Sequence, residues 1–247
     1  ELMKLFMDRA FLHHYESNAQ EMEPGSWYLE NPENNALPLD DRVEREVVKF
    51  LQRNQSCRPF DLQQYLYAQF PGLLTPSDEL VQACLESYAE LSAADGLYWL
   101  KPEDAPSTRK TEIQQMNRIL HKIAGRIGLQ AKGEQPLVWM KPDNDGVVYH
   151  FFIGASAILH PHVWQSFDEE DVQNVYVFPA SRSLLIQTKL ALNPRLREKT
   201  SQNWHFLKFR YLQALSQRAE MTLELWQLLL DGDPLNAGKD TQLSVFI

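Results

Sequence analysis

The sequence predicts an α+β protein: a helical domain followed by a small α/β domain with a short mixed sheet flanked by helices. Three observations carry this. Residues 39–104 contain three short segments with apolar positions three and four apart, closed by an extended aromatic run. The stretch PDNDG joins two apolar extended segments, a strong hairpin signal. Helical patterns then resume around a further buried strand.

The organisation expected is an N-terminal helix and connector over 1–38, a helical domain over 39–104, and the α/β domain over 108–247. In the first part, Leu2, Leu5, Phe6, Arg9 and Leu12 or His13 follow helical spacing, so 2–15 is predicted helical. The next segment is polar and broken by Pro24, Gly25, Pro32 and Pro38, with Trp27, Tyr28 and Leu29 as its apolar anchor. In DDRVEREVVKFLQRN, Val43, Val47, Phe50 and Leu51 share a helical face, with Asp40 or Asp41 as N-cap. Asp61 is expected to cap the second helix after an extended Arg58-Pro59-Phe60 link. The third begins near Thr75-Pro76-Ser77 and turns Leu80, Val81, Cys84, Leu85 and Tyr88 inward. Gly96 precedes the β segment 97–100. Three short helices followed by a β-ribbon resemble the winged-helix arrangement.

Residues 105–110 are predicted as a linker. The helix after it places Ile113, Met116, Leu120, Ile123, Ala124 and Ile127 on one face and a stripe of Arg118, Lys122 and Arg126 on another, ending at Gly128. Strands follow at 136–141, 147–154 and 174–178. The second is apolar on both faces and therefore central. The remainder is predicted helical over 183–192, near 204–217 and over 221–230.

The charge distribution points to a polyanion. Arg182, Lys189, Arg195, Arg197, Lys199, Lys208, Arg210 and Arg218 stand against one acid, Glu198, a local +7 in a chain of net charge −9. An island of this kind in an acidic protein (pI about 5.3) makes nucleic-acid binding local, not a property of the whole surface. Arg195, Arg197 and Lys199 flank a helix start at Asn193-Pro194, where main-chain amides add phosphate donors. The candidate phosphate contacts are Arg182, Lys189, Arg195, Arg197, Lys199 and Arg210, extended by Arg118, Lys122 and Arg126. Trp204, Phe206, Phe209 and Tyr211 are interleaved with cations in a way that suits base stacking, but core packing is the stronger expectation for large apolar residues. The third helix of the winged-helix-like unit carries Asp78, Glu79, Glu86 and Glu90 and no base, so it is expected to pack against a partner or neighbouring domain instead of reading DNA.

No catalytic signature accompanies the island. The helix, hairpin and buried strand resemble the outline of the restriction-endonuclease-like fold, whose metal site needs carboxylates at strand ends beside a lysine. Residues 147–154 have no carboxylate, Asp143 and Asp145 sit in the hairpin tip, and Gln187-Thr188-Lys189 only mimics the Gln-x-Lys variant. His160-Pro161-His162 and His13-His14 lack companions at metal-ligand spacing. No metal, cofactor or enzymatic activity is expected. Cys57 and Cys84 fit free thiols in a reducing cytoplasm, and neither a membrane span nor a charged-then-apolar leader is visible. The chain opens on Glu1 and not on Met, consistent with a piece of a longer polypeptide.

Two further phrases bear on partners. The ending QLSVFI resembles the peptide by which bacterial DNA-processing proteins hook onto the replication sliding clamp, with Gln242, Leu243 and Phe246 as its contacts; docking of an apolar tail onto its own domain explains it equally. The run NVYVFPASRSLLIQTKLALNPRLREKTSQNWHFLKFRYLQAL, with FLHHYESN and GSWYLENP, is similar to the C-terminal region of large bacterial DNA-methyltransferase-like proteins of restriction and phage-defence type. The DPPY-type tetrad and glycine-rich cofactor loop of such enzymes are absent. The resemblance therefore implies a non-catalytic accessory or target-handling part of a larger assembly, and with the basic island the first expectation is a non-enzymatic, DNA-associated module. The competing expectation is a protein-interaction adaptor, and a third is a divergent metal-dependent nuclease.

Overall fold

A computed structural model describes residues 12–15, 26–29, 37–143, 146–165, 171–201, 203–232 and 235. Strands β1 (Leu12–Tyr15) and β2 (Ser26–Leu29) pair antiparallel. Residues 12–15 are thus extended, not the end of a helix, and they pair residue by residue with 26–29.

Helix α1 (Leu39–Asn54), strand β3 (Ser56–Cys57), helices α2 (Pro59–Gln69) and α3 (Asp78–Tyr88), and strands β4 (Ala89–Leu91) and β5 (Tyr98–Leu100) follow. The strands form a small antiparallel sheet in the order β3-β5-β4. Helix α3 starts as expected, with Ser77 Oγ accepting from the Leu80 amide. The other caps differ. Pro38 precedes α1, and Asp40 and Asp41 lie buried inside its first turn. Pro59 opens α2, with Asp61 in the first turn and not at the cap.

Helix α4 (Pro106–Arg126) begins with a proline at its first turn and absorbs the predicted linker. Strands β6 (Gln130–Lys132), β7 (Leu137–Met140) and β8 (Val147–Ile153) form an antiparallel meander. Helix α5 (His160–Gln165), strand β9 (Gln173–Phe178), helices α6 (Ser183–Leu192) and α7 (Pro194–Thr200), strand β10 (Trp204–Lys208), and helices α8 (Phe209–Gln217) and α9 (Leu223–Leu230) complete the described chain. The main sheet is mixed, ordered β10-β9-β8-β7-β6, with β8, β9 and β10 mutually parallel.

Residues 204–217 are therefore not one helix. Trp204 and Phe206 alternate with Leu207 as strand residues, and Tyr211, Leu212 and Leu215 then take helical spacing.

Each face of the main sheet is covered. Phe151, Ile153, Val175, Val177 and Leu207 point to one side, where Trp139 and Trp226 lie 4.7 Å apart among α4, α8 and α9. Phe152, Tyr176, Phe178 and Phe206 point to the other, in a core shared with Val43, Val47 and Leu51 of α1, Leu62 and Leu66 of α2, and Leu80 and Cys84 of α3. The helical unit and the sheet have a common interior, so residues 104–108 separate no two cores. Among the described residues no helix is long and apolar enough to cross a membrane.

Candidate functional site: buried ion networks and the cations left outside

Two internal ion networks join the helical unit to the sheet. In the first, the Lys189 ammonium on α6 lies 2.5 Å from Asp41 and 2.5 Å from Glu44, both on α1, and donates to the Ala157 carbonyl at 3.1 Å. The other Glu44 oxygen accepts from the Ala157 amide at 2.7 Å and from the Tyr88 hydroxyl. Lys189 and Glu44 are fully buried. Burial pushes Asp41 up to about 7 against the pull of Lys189, and pushes Asp40 up as well. The carboxylates outweigh burial at Lys189 and hold its pKa above the usual value, so this lysine is a fixed cation and not a nucleophile.

The second network centres on Arg182. Its guanidinium donates to the Ala155 carbonyl at 2.9 Å, to the Ser87 carbonyl at 2.5 Å and to the Asp104 carboxylate, while lying 3.5 Å from the centre of the Tyr88 ring. Asp104 also receives Arg109 at 2.9 Å, which pairs in turn with Glu112. The loop feeding both networks leaves β8 at Gly154, where the Tyr176 hydroxyl occupies the space a Cβ would need.

These contacts correct the predicted phosphate set. Arg182 and Lys189 are 0% exposed and their charges are consumed internally, so no phosphate reaches them. Lys189 also sits on a helix between carboxylates, not on a strand beside a metal site. Arg126 is half-buried and ties down the end of α8, donating to the carbonyls of Arg218 at 2.6 Å and Ala219 at 2.8 Å. Arg210 is exposed, with its guanidinium 2.9 Å from the Tyr211 hydroxyl. Arg118, Lys122 and Arg210 belong to α4 and α8, on one side of the main sheet; Arg195, Arg197 and Lys199 belong to α7, on the other. The island is thus divided between the interior and opposite layers.

Helix α7 keeps three of the expected cations at the surface. Arg197 and Lys199 are exposed, while Arg195 is half-buried with its guanidinium 5.9 Å from the centre of the Trp164 ring. Trp164 stacks on His160 at 4.2 Å. Burial lowers the His160 pKa, with Asp40 and Arg195 acting on the ring in opposite directions. Asn193 caps α7 by accepting from the Leu196 amide at 3.0 Å. His160 and His162 lie on α5.

Helix α1 holds residues the sequence reading passed over. Arg45, Lys49 and Arg53 are exposed and Arg42 is half-buried, its guanidinium 5.2 Å from the Phe70 ring centre. The only acid on this outer side is Glu46, held by Lys49 at 2.5 Å and the Tyr65 hydroxyl at 2.7 Å. A hollow of about 280 Å³ lies between α1 and the end of α2, lined by Arg42, Arg45, Glu46, Lys49, Gln69 and Phe70.

Strands β7 and β8 carry no Asp or Glu, and among the described residues no group of three or more His, Cys, Asp and Glu could hold a metal ion. Burial pushes the Cys57 thiol up to about 11 and raises Cys84 further, which suits neither for nucleophilic attack. The sliding-clamp-like residues Gln242, Leu243 and Phe246 lie outside the described residues, as do Asp145 and residues 2–11. No family model, no curated protein and no solved structure matches the chain.

Proposed function

We propose that this protein is a non-catalytic, DNA-associated module of a restriction, phage-defence or DNA-modification system, acting in the cytoplasm within a larger assembly and gripping nucleic-acid backbone through a local cationic surface. The observation that carries the reading is α7: Arg197 and Lys199 project from a short helix whose Arg195 lies over Trp164, which in turn stacks on His160. Guanidinium and ammonium groups at a surface contact phosphates with little sequence preference and strong salt dependence. The helix–strand–helix–helix–strand–strand order of residues 39–100 supports a winged-helix-like unit, one that serves as a packed layer: α3 buries Leu80, Cys84 and Tyr88 and exposes Asp78, Glu79 and Glu86. The meander and parallel strands of the main sheet support an inactive relative of the restriction-endonuclease-like outline, because β8 supplies no metal-binding acid.

The test is duplex binding by the intact chain and by Arg197→Glu/Lys199→Glu at two salt concentrations. The double reversal is expected to weaken binding about tenfold and to flatten the salt dependence by about two phosphate contacts. Failure of the intact chain to bind duplex would overturn the reading, and unchanged affinity in the variant would remove α7 from the binding surface.

A protein-interaction adaptor is the second reading, favoured by Phe60, Tyr67 and Leu74, which stay exposed on the acidic helical unit. A partner retained after nuclease treatment, with no DNA bound by the purified chain, would establish it.

A further inference from the structure

The outward face of α1 is cationic because of where its acids go. The helix contains Asp40, Asp41, Glu44 and Glu46 against Arg42, Arg45, Lys49 and Arg53, and is neutral as written. Asp40, Asp41 and Glu44 are all buried, the last two against Lys189. The helix surface is left with four cations and one carboxylate, and that carboxylate is already held by Lys49 and Tyr65.

We infer that this face, with the hollow beside Arg42, Arg45 and Phe70, is a second track for the phosphate backbone of nucleic acid. The inference rests on the reading proposed above and extends it to residues outside the basic island. The cations recur at intervals of three, four and four residues, about 4.5–6 Å apart along the axis, so they present a row and not a point charge. An anionic membrane fits less well: the apolar side of α1, formed by Val43, Val47 and Leu51, is wholly buried and offers nothing to a bilayer. Helix α5 lies between α1 and α7: the His160 amide donates to Asp41 of α1 at 3.4 Å, and its ring feels Arg195 of α7.

The experiment is Arg45→Glu/Arg53→Glu in the full chain, compared with Arg197→Glu/Lys199→Glu, using a labelled mixed-sequence DNA duplex at low and moderate salt. Both α1 residues are exposed and outside the buried networks, so thermal melting is expected to match the unmodified chain. Binding is expected to fall about tenfold at low salt, with the slope of log affinity against log salt reduced by about two. Retained affinity in the α1 variant alongside a loss in the α7 variant would overturn the track and leave the proposed function standing. Loss in the α1 variant alone would uphold the track and remove α7 from the site. If the unmodified chain binds no duplex, or only vesicles of phosphatidylserine, both ideas fail.

Discussion

Helices α1 and α6 meet at the Lys189 ammonium and sort their residues in opposite ways. Helix α1 buries three acids beside its valines and turns arginines outward. Helix α6 buries Ser183, Thr188 and Lys189 and leaves Leu184 and Leu192 exposed. Transfer free energy alone would reverse the second pattern, since burying an unpaired ammonium costs far more than burying a leucine gains. The partner decides the outcome: Lys189 has Asp41 and Glu44 as counter-charges from the other helix, and each of the three has hydrogen bonds from a different element. What the comparison teaches is that the orientation of α6 depends on α1, so the two helices specify one another's placement.

Breaking this mutual dependence is expected to produce the largest effect. Lys189→Met leaves Asp41 and Glu44 buried without their cation, and loss of one partner of a buried pair costs about 3–5 kcal/mol. Urea unfolding of the variant should show that loss. Adding Asp41→Asn and Glu44→Gln to Lys189→Met should recover part of it, because uncharged groups of the same shape replace the stranded charges. A loss below about 1 kcal/mol for the single variant would mean that α6 is placed by its apolar contacts alone.

A smaller and pH-dependent effect sharpens the same comparison. Asp41 faces Lys189 from α6, Asp40 and Glu44 from its own helix, and the His160 amide from α5. Its carboxyl is pushed from an ordinary 3.8 up to about 7, chiefly by burial. Between those values the folded chain keeps a proton that the unfolded chain has released, so this group's contribution to stability falls as pH rises through the window. The slope at its steepest is roughly 1.4 kcal/mol per pH unit. Asp41→Asn removes the titration. The difference in urea midpoint between pH 5 and pH 8 should therefore be smaller in the variant than in the unmodified chain, and an unchanged difference would show that Asp41 ionises normally in place.

Much of the architecture was legible in the sequence, and the exceptions have physical causes. Helices α1 and α3 follow their apolar periods, strands β7, β8 and β9 coincide with apolar extended runs, and PDNDG falls between the antiparallel strands β7 and β8. Strand β10 was obscured because Trp204, Phe206 and Leu207 run into Phe209 and Tyr211 with no Gly or Pro between them, and aromatic residues suit either period. The short strand Gln130–Lys132 has no apolar alternation to announce it. The site was harder still, because a linear count of charge takes no account of direction. The helical phase of α1 did contain the answer: at 100° per residue its four cations fall within an arc of about 80°, while Asp40 and Glu44 fall beside Val43, Val47 and Leu51. Nothing comparable in local sequence marks Arg182 and Lys189 as internal, since their acidic partners lie 78 and 145 or more residues away in the chain.

The smallest effect is expected where the cations lie on the far side of the main sheet. Arg118 and Lys122 are exposed on α4, whose Met116, Leu120 and Ile123 enter the core opposite to the one covered by α1 and α7. A duplex held along α1 and α7 would have to wrap around the sheet to reach them, beyond the distance over which exposed charges act at physiological salt, about 8 Å. Arg118→Glu/Lys122→Glu is therefore expected to change duplex affinity less than about twofold near physiological ionic strength, and to leave the salt slope where it was. A loss matching that of the α1 or α7 reversals would place the nucleic acid on the layer of α4 and α8, where Arg210 is also exposed. The outward charge of α1 would then serve some other contact, and the division of cations between the two layers would mark two binding surfaces in place of one.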